Sequence, residues 1–184
     1  MNSEVISSRY AKALLAYANE TGSEDKVYSQ AIAIVQIMQE MPQFVDILLK
    51  RDDVTLAKKV ELLSMAIGEP LTDELMRFLE LVSAQRRMDK LDTMLQSYII
   101  KYRQANNIKV GSLVTAVQDE TLRSRLEKMF SDRMSSEVHF SVDVNPELLG
   151  GFIFELDGYR LDASVRTRLE KIRQCMVDEN SRIV

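Results

Sequence analysis

Through the first hundred residues apolar positions recur at steps of three and four, the spacing of helices that bury one face. Over residues 4–20, Ile6, Tyr10, Ala13, Leu14 and Tyr17 share a face, and Ala11, Leu15 and Ala18 widen the apolar arc beyond what one packing face requires. That width has two readings: core on several sides, or a groove that receives a partner helix through apolar contacts at the same spacing. Gly22 marks the end of this segment, and residues 24–41 repeat the period through Val27, Ala31, Ile34, Val35, Met38 and Met41. Pro42 suits the first position of a short third helix carrying Phe44, Val45, Leu48 and Leu49. Thr55 is placed to cap a fourth, with Leu56, Val60, Leu63 and Ile67, which Gly68-Glu69-Pro70 stops. Thr72 precedes Asp73 and Glu74, acids that suit a first helical turn, and Leu75, Phe78, Leu79 and Val82 line the fifth helix. Met88, Leu91, Leu95, Tyr98, Ile99 and Tyr102 line a sixth.

After Asn106-Asn107 the period falls toward two. Lys109–Val117 reads as a strand with Val110, Val114 and Ala116 on one side, and Val138, Phe140, Val142 and Val144 alternate as another. Between them Asp119 is placed to cap a helix carrying Leu122, Leu126, Met129, Phe130 and Met134. Asn145-Pro146 reads as a second cap. Phe152–Leu156 and Tyr159–Leu161 flank Asp157-Gly158, a strong signal for a two-residue hairpin turn. A turn there sets Leu156 against Tyr159, Glu155 against Arg160 and Phe154 against Leu161, and the opposite charges support the register. Ser164 is placed to cap a last helix with Val165, Leu169, Ile172 and Met176 on one side, and the hairpin is its nearest packing partner. The pattern predicts a mainly α protein with a small α/β part: a six-helix bundle over residues 1–105, then a β-α-β-β-β-α domain over residues 106–184.

Composition narrows the function. With 46% hydrophobic residues, 6 glycines and 3 prolines in 184 residues, the chain is globular and favours helix. A net charge of −4 argues against a general nucleic-acid binder. The basic pair Arg86-Arg87 lies beside Glu80 and Asp89 and reads as a solvated face. A single cysteine, Cys175, excludes an internal disulfide and reads as a partly buried, inert thiol. No stretch approaches the roughly 20 apolar residues of a membrane span, and the first twenty residues lack the pattern of a signal peptide.

No constellation of residues points to catalysis, a cofactor or a metal. His139 is the single histidine; it alternates away from the valines toward solvent, and no nucleophile elbow accompanies it. Gly150-Gly151 lacks the spacing of a phosphate-binding loop and reads as a place of close backbone packing. Asp162 and Arg166 flank Ser164, and the group reads as a helix cap with a local ion pair rather than an anion site.

The stretch Asn145-Pro146, Leu148-Leu149-Gly150-Gly151, then Leu161-Asp162-Ala163-Ser164-Val165-Arg166 and Leu169, resembles the C-terminal signature of the ATP synthase delta subunit family, called the oligomycin-sensitivity-conferring protein in mitochondria. Asn145 stands where that pattern usually has Asp. Tyr10-Ala11-Lys12-Ala13-Leu14, the region Arg77–Leu91 and the strand Gly111–Ala116 are similar to the same family, so the resemblance covers essentially the whole chain. It implies a non-catalytic subunit of the peripheral stalk, without cofactor, at the cytoplasmic face of a bacterial membrane and held there only through the complex. It also implies two partners. N-terminal segments of alpha subunits would enter a groove between the first and fifth helices, formed from among Tyr10, Ala11, Ala13, Leu14, Tyr17, Ala18, Leu75, Phe78, Leu79 and Val82. The end of the b-type stalk would meet the C-terminal domain, whose structural motif is Asn145, Pro146, Gly150, Gly151, Asp162, Ser164 and Arg166. Competing readings are a helical RNA-associated or adaptor protein and a small enzyme; the acidic charge and the missing catalytic groups disfavour them.

Overall fold

In the computed structural model, which describes residues 3–41, 45–46 and 54–181, the chain is mainly helical with one small mixed sheet. It divides into two compact units, Met1–Ala105 and Asn106–Val184. The short helix expected from Pro42 lies largely outside the described residues.

The first unit contains α1 (Ser3–Thr21), α2 (Glu24–Glu40), α3 (Leu56–Ile67), α4 (Asp73–Ala84) and α5 (Leu91–Ala105), the last preceded by a 3-10 turn at Met88–Lys90. Helix α5 packs against both α1 and α2, and its Leu91, Met94, Leu95 and Tyr98 are wholly buried. Several polar groups inside the unit are paired, while Glu24 Oε2 and Thr72 Oγ1 are buried without a hydrogen bond among the described residues. The Ser7 and Thr93 hydroxyls are 3.0 Å apart, and the Tyr98 hydroxyl donates to the Glu24 carbonyl at 3.3 Å. The buried Gln30 side chain donates to Pro70 O and Glu69 Oε1, both at 2.9 Å, and accepts the Thr72 N–H at 3.0 Å. One side chain of α2 thereby fixes the turn into α4. Gly68 ends α3 in the left-handed conformation (φ 82°), the backbone for which glycine carries no penalty. Thr55 and Thr72 hold the N-cap positions of α3 and α4, but neither hydroxyl makes a capping bond.

The second unit runs β1 (Ile108–Thr115), α6 (Glu120–Met134), β2 (Glu137–Val144), a 3-10 turn (Pro146–Leu148), β3 (Phe152–Leu156), β4 (Tyr159–Asp162) and α7 (Val165–Ser181). The sheet order is β2-β1-β3-β4, with β1 and β2 parallel and the other pairs antiparallel. Asp119 caps α6 by accepting the Leu122 N–H at 2.9 Å. Leu122, Leu126, Phe130 and Met134 of α6 cover the face formed by Leu113, Val138, Phe140, Phe154 and Leu156. The Phe130 and Phe154 rings meet edge to face at 4.9 Å. The hairpin register is Leu156–Tyr159, Glu155–Arg160 and Phe154–Leu161, as the turn and the charge pair imply.

The structure settles which side of β1 faces inward, and two expectations about the last helix need correction. The core side of β1 is Gly111, Leu113 and Thr115, while Val110 is 40% exposed. A side chain at Gly111 would lie 2.5 Å from the Glu155 carbonyl and 2.7 Å from the Phe140 ring, so the central strand is inward-facing where it is smallest. The last helix does not bury its apolar stripe: Leu169, Ile172 and Met176 are 52%, 54% and 63% exposed. It leaves an edge strand through a two-residue link and packs mainly on the 3-10 turn, away from the sheet core. Cys175, on that helix, is accordingly exposed rather than partly buried.

Candidate functional site

Helix α1 resolves its wide apolar arc into two faces. Ala11, Leu14 and Ala18 are buried in the bundle, whereas Ala13 is exposed and Tyr10 and Tyr17 are half-buried. Helix α4 divides in the same way. Leu75, Leu79 and Val82 lie in the core, Phe78 closes the boundary, and Leu81 stands 48% exposed one turn further along. Between the two helices lies a groove of ≈ 190 Å³ lined by Ala13, Leu14, Tyr17, Glu74, Arg77, Phe78 and Leu81. Of the ten expected groove residues, the structure therefore brings Ala13, Leu14, Tyr17 and Phe78 to the groove, with Tyr10 at its edge. Ala11, Ala18, Leu75, Leu79 and Val82 belong to the core beneath it. Leu81 and Arg77 escaped sequence reasoning because they lie off the buried row of α4; the position of Leu81 three residues after Phe78, on the same side of the helix, was the available signal.

The groove is apolar along its floor and charged at its edges. The Arg77 Nη1 donates to the Tyr17 hydroxyl at 2.6 Å, and its guanidinium lies 5.8 Å from that ring's centroid. Arg87 repeats the arrangement on Tyr10, at 3.2 Å and 5.7 Å. Tyr10 also meets Phe78 edge to face at 6.3 Å. The nearly buried Glu74 carboxyl is held below the usual carboxylate range first by its own backbone N–H at the start of α4. The Thr21 and Ser23 hydroxyls and the Arg77 charge add to this, against the opposing effect of burial.

In the second unit the glycine pair and the polar motif form one clasp at the start of α7. Asn145 caps the 3-10 turn by accepting the Glu147 N–H at 3.0 Å, with Pro146 at the first turn position. Gly151 has φ +75°, and a Cβ there would lie 2.3 Å from the Ala163 carbonyl. The Val165 N–H donates to Gly150 O at 2.9 Å. Asp162 accepts the Ser164 N–H at 2.9 Å through one oxygen and the Thr167 hydroxyl at 2.8 Å through the other. These bonds, the Ser164 N–H first, hold its carboxyl below the usual range. Ser164 Oγ accepts the Thr167 N–H at 3.2 Å. Arg166 does not pair with Asp162, whose oxygens are already engaged; it turns to Glu170 at 3.3 Å and Glu147 at 3.6 Å. His139 is half-exposed and pairs with Glu137 at 2.9 Å. Among the described residues no group of three or more His, Cys, Asp or Glu side chains is placed to hold a metal ion, and no helix is long and apolar enough to cross a membrane.

The chain consists of a helical unit with an open apolar groove and a sheet unit whose polar motif serves its own fold. The comparisons give this chain its family. Residues 6–176 match the family described as ATP synthase delta (OSCP) subunit. The ATP synthase subunit delta of Phocaeicola vulgatus is 40% identical over 98% of each chain, and that of Bacteroides fragilis is 34% identical over the same shares. A chain in the cryo-EM structure of the Toxoplasma gondii mitochondrial ATP synthase hexamer shares the fold, with a TM-score of 0.62 at 18% identity over 93% of this chain and 97% of that one. The chain belongs to the ATP synthase delta (OSCP) subunit family. It is a non-catalytic subunit of ATP synthase with a stator role, peripheral to the membrane.

Proposed function

We propose that the groove between α1 and α4 takes the N-terminal segment of an alpha subunit as an amphipathic helix, and that the second unit holds the end of the b-type stalk. The observation that carries the first half is the exposure of Ala13 and Leu81 on either side of a floor made by Leu14 and Phe78. A small residue on one wall lets a partner backbone approach closely, and apolar side chains on the other bury its hydrophobic face. The exposed stripe Leu169, Ile172 and Met176 on α7 supports the second half, because an apolar helix face left open suits a partner helix. Linking the head to the stalk in this way lets the head resist rotor torque. It also places the chain on the cytoplasmic face of the membrane, attached only through the complex. The first unit completes a six-helix bundle on this reading, and the two units act as separate domains.

The test is calorimetric titration of the full chain with a synthetic alpha N-terminal peptide. Saturable binding to the unaltered chain, lost in Ala13→Glu at unchanged melting temperature, is the expected result, since the new charge is desolvated only in the complex. Equal affinity for both chains would remove the groove from the binding site.

A further inference from the structure

The two arginine–tyrosine pairs at the groove have a meaning beyond joining α1 to α4. We infer that Arg77 and Arg87 set the specificity of the groove, selecting an amphipathic helix that carries acidic side chains seven residues apart on the flanks of its apolar face. This rests on the groove being a docking site and adds the charge pattern of its occupant.

Tyr10 and Tyr17 stand seven residues apart on one side of α1, two turns or about 10 Å along the axis. Each hydroxyl receives one guanidinium, Arg87 at the first and Arg77 at the second. An arginine has five N–H donors in a planar fork, and one bond to a tyrosine leaves most of them unused. Arg77 is exposed and Arg87 half-exposed, so the unused donors face water. Stacking over the rings fixes both guanidiniums and lowers the entropy cost of engaging a carboxylate in a bidentate manner. Glu74 lines the same groove, but its carboxylate is engaged by its own backbone N–H and by the Thr21 and Ser23 hydroxyls as well as by the Arg77 charge. Arg9, four residues before Ala13, adds positive charge to the α1 wall, and Glu20 lies one turn beyond Tyr17. A helix laid along α1 repeats its face every seven residues, so acids at i and i+7 meet the two arginines while the residues at i+3 and i+4 enter between Ala13 and Leu81.

The test uses three synthetic amphipathic helices of about 20 residues, long enough to hold helical structure, with Glu, Gln or Lys at i and i+7, titrated into the full chain at low salt. The Glu peptide should bind best, the Gln peptide roughly three- to tenfold more weakly and the Lys peptide weaker still. High salt should shrink the differences. In the double variant Arg77→Glu, Arg87→Glu the order should invert, with the Lys peptide binding best. Three peptides that bind the unaltered chain alike would overturn the inference without recourse to any variant. So would a folded double variant that keeps the original order, which is what a purely structural role for the arginines gives. If the Glu peptide binds and discriminates while the alpha N-terminal peptide does not, the specificity stands and the assigned natural occupant falls. If neither binds, both fall.

Discussion

At the scale of single residues, three alanines of α1 separate the two roles that one helix combines. Ala11 and Ala18 are fully buried and Ala13 is exposed, although all three contribute to the same apolar arc. Ala11→Glu or Ala18→Glu should lower the thermal midpoint sharply, because an unpaired charge and added volume enter a packed interface. Ala13→Glu should leave it unchanged, and a melting series on the three variants checks this. The sequence did not separate them, because alanine suits a helix core and a close-approach groove equally. Titratable groups give a second expectation. Burial first pushes the Tyr98 and Tyr102 hydroxyls well above their ordinary range, followed by the neighbouring Tyr102 and the Glu24 and Asp25 carboxylates for Tyr98 and by the Asp25 hydrogen bond and charge for Tyr102. The Tyr102 hydroxyl also donates to Asp25. A folded pKa raised above the unfolded one gives stability that is complete below the unfolded value, about 10, and is lost as pH rises from there toward the folded value. Urea midpoints for the first unit should therefore fall above about pH 10. In Tyr98→Phe that fall should be smaller.

At the scale of elements, local chemistry was legible where both partners lie close in the chain. Asp157-Gly158 together with Glu155 and Arg160 fixes the β3–β4 register, and Asp119 and Asn145 cap the turns they precede. What escaped were choices settled by distant groups. The inward side of β1 is decided by the Phe140 ring and the Glu155 carbonyl at Gly111, and the apolar residues on both sides of that strand gave no preference. The periodicity of α7 said that its stripe would be covered, but the stripe is more than half exposed in the structure. The Leu81–Arg77 wall of the groove was missed because both residues lie off the buried row of α4 and read as ordinary surface. The glycine clasp, by contrast, was readable as close packing and now has a measurable consequence. Gly151→Ala forces a side chain into left-handed backbone, costing about 1–3 kcal/mol, and places its Cβ against the Ala163 carbonyl. The second unit should unfold at lower urea in this variant while the first keeps its midpoint. A shared shift of both units would show that the clasp is not local.

At the scale of the whole molecule, Met1–Ala105 and Asn106–Val184 each close a hydrophobic cluster of their own. We expect limited proteolysis to cut near residues 105–108 and release two fragments, each unfolding cooperatively; a first fragment that is unfolded once freed would argue against independent domains. The two exposed apolar surfaces, the α1–α4 groove and the α7 stripe, belong to different units. On the proposed function, the head and the stalk would each have a surface of their own. The most direct measurement is site-directed photo-crosslinking in intact ATP synthase purified from the host, on a Cys175→Ser background, with the probe attached at Leu81→Cys or Ile172→Cys. Both positions are about half exposed in the free chain. The account predicts that Leu81→Cys links to an alpha subunit and Ile172→Cys to the b-type stalk. Attachment of both probes to one and the same partner, or of neither in a complex that retains the subunit, would contradict it.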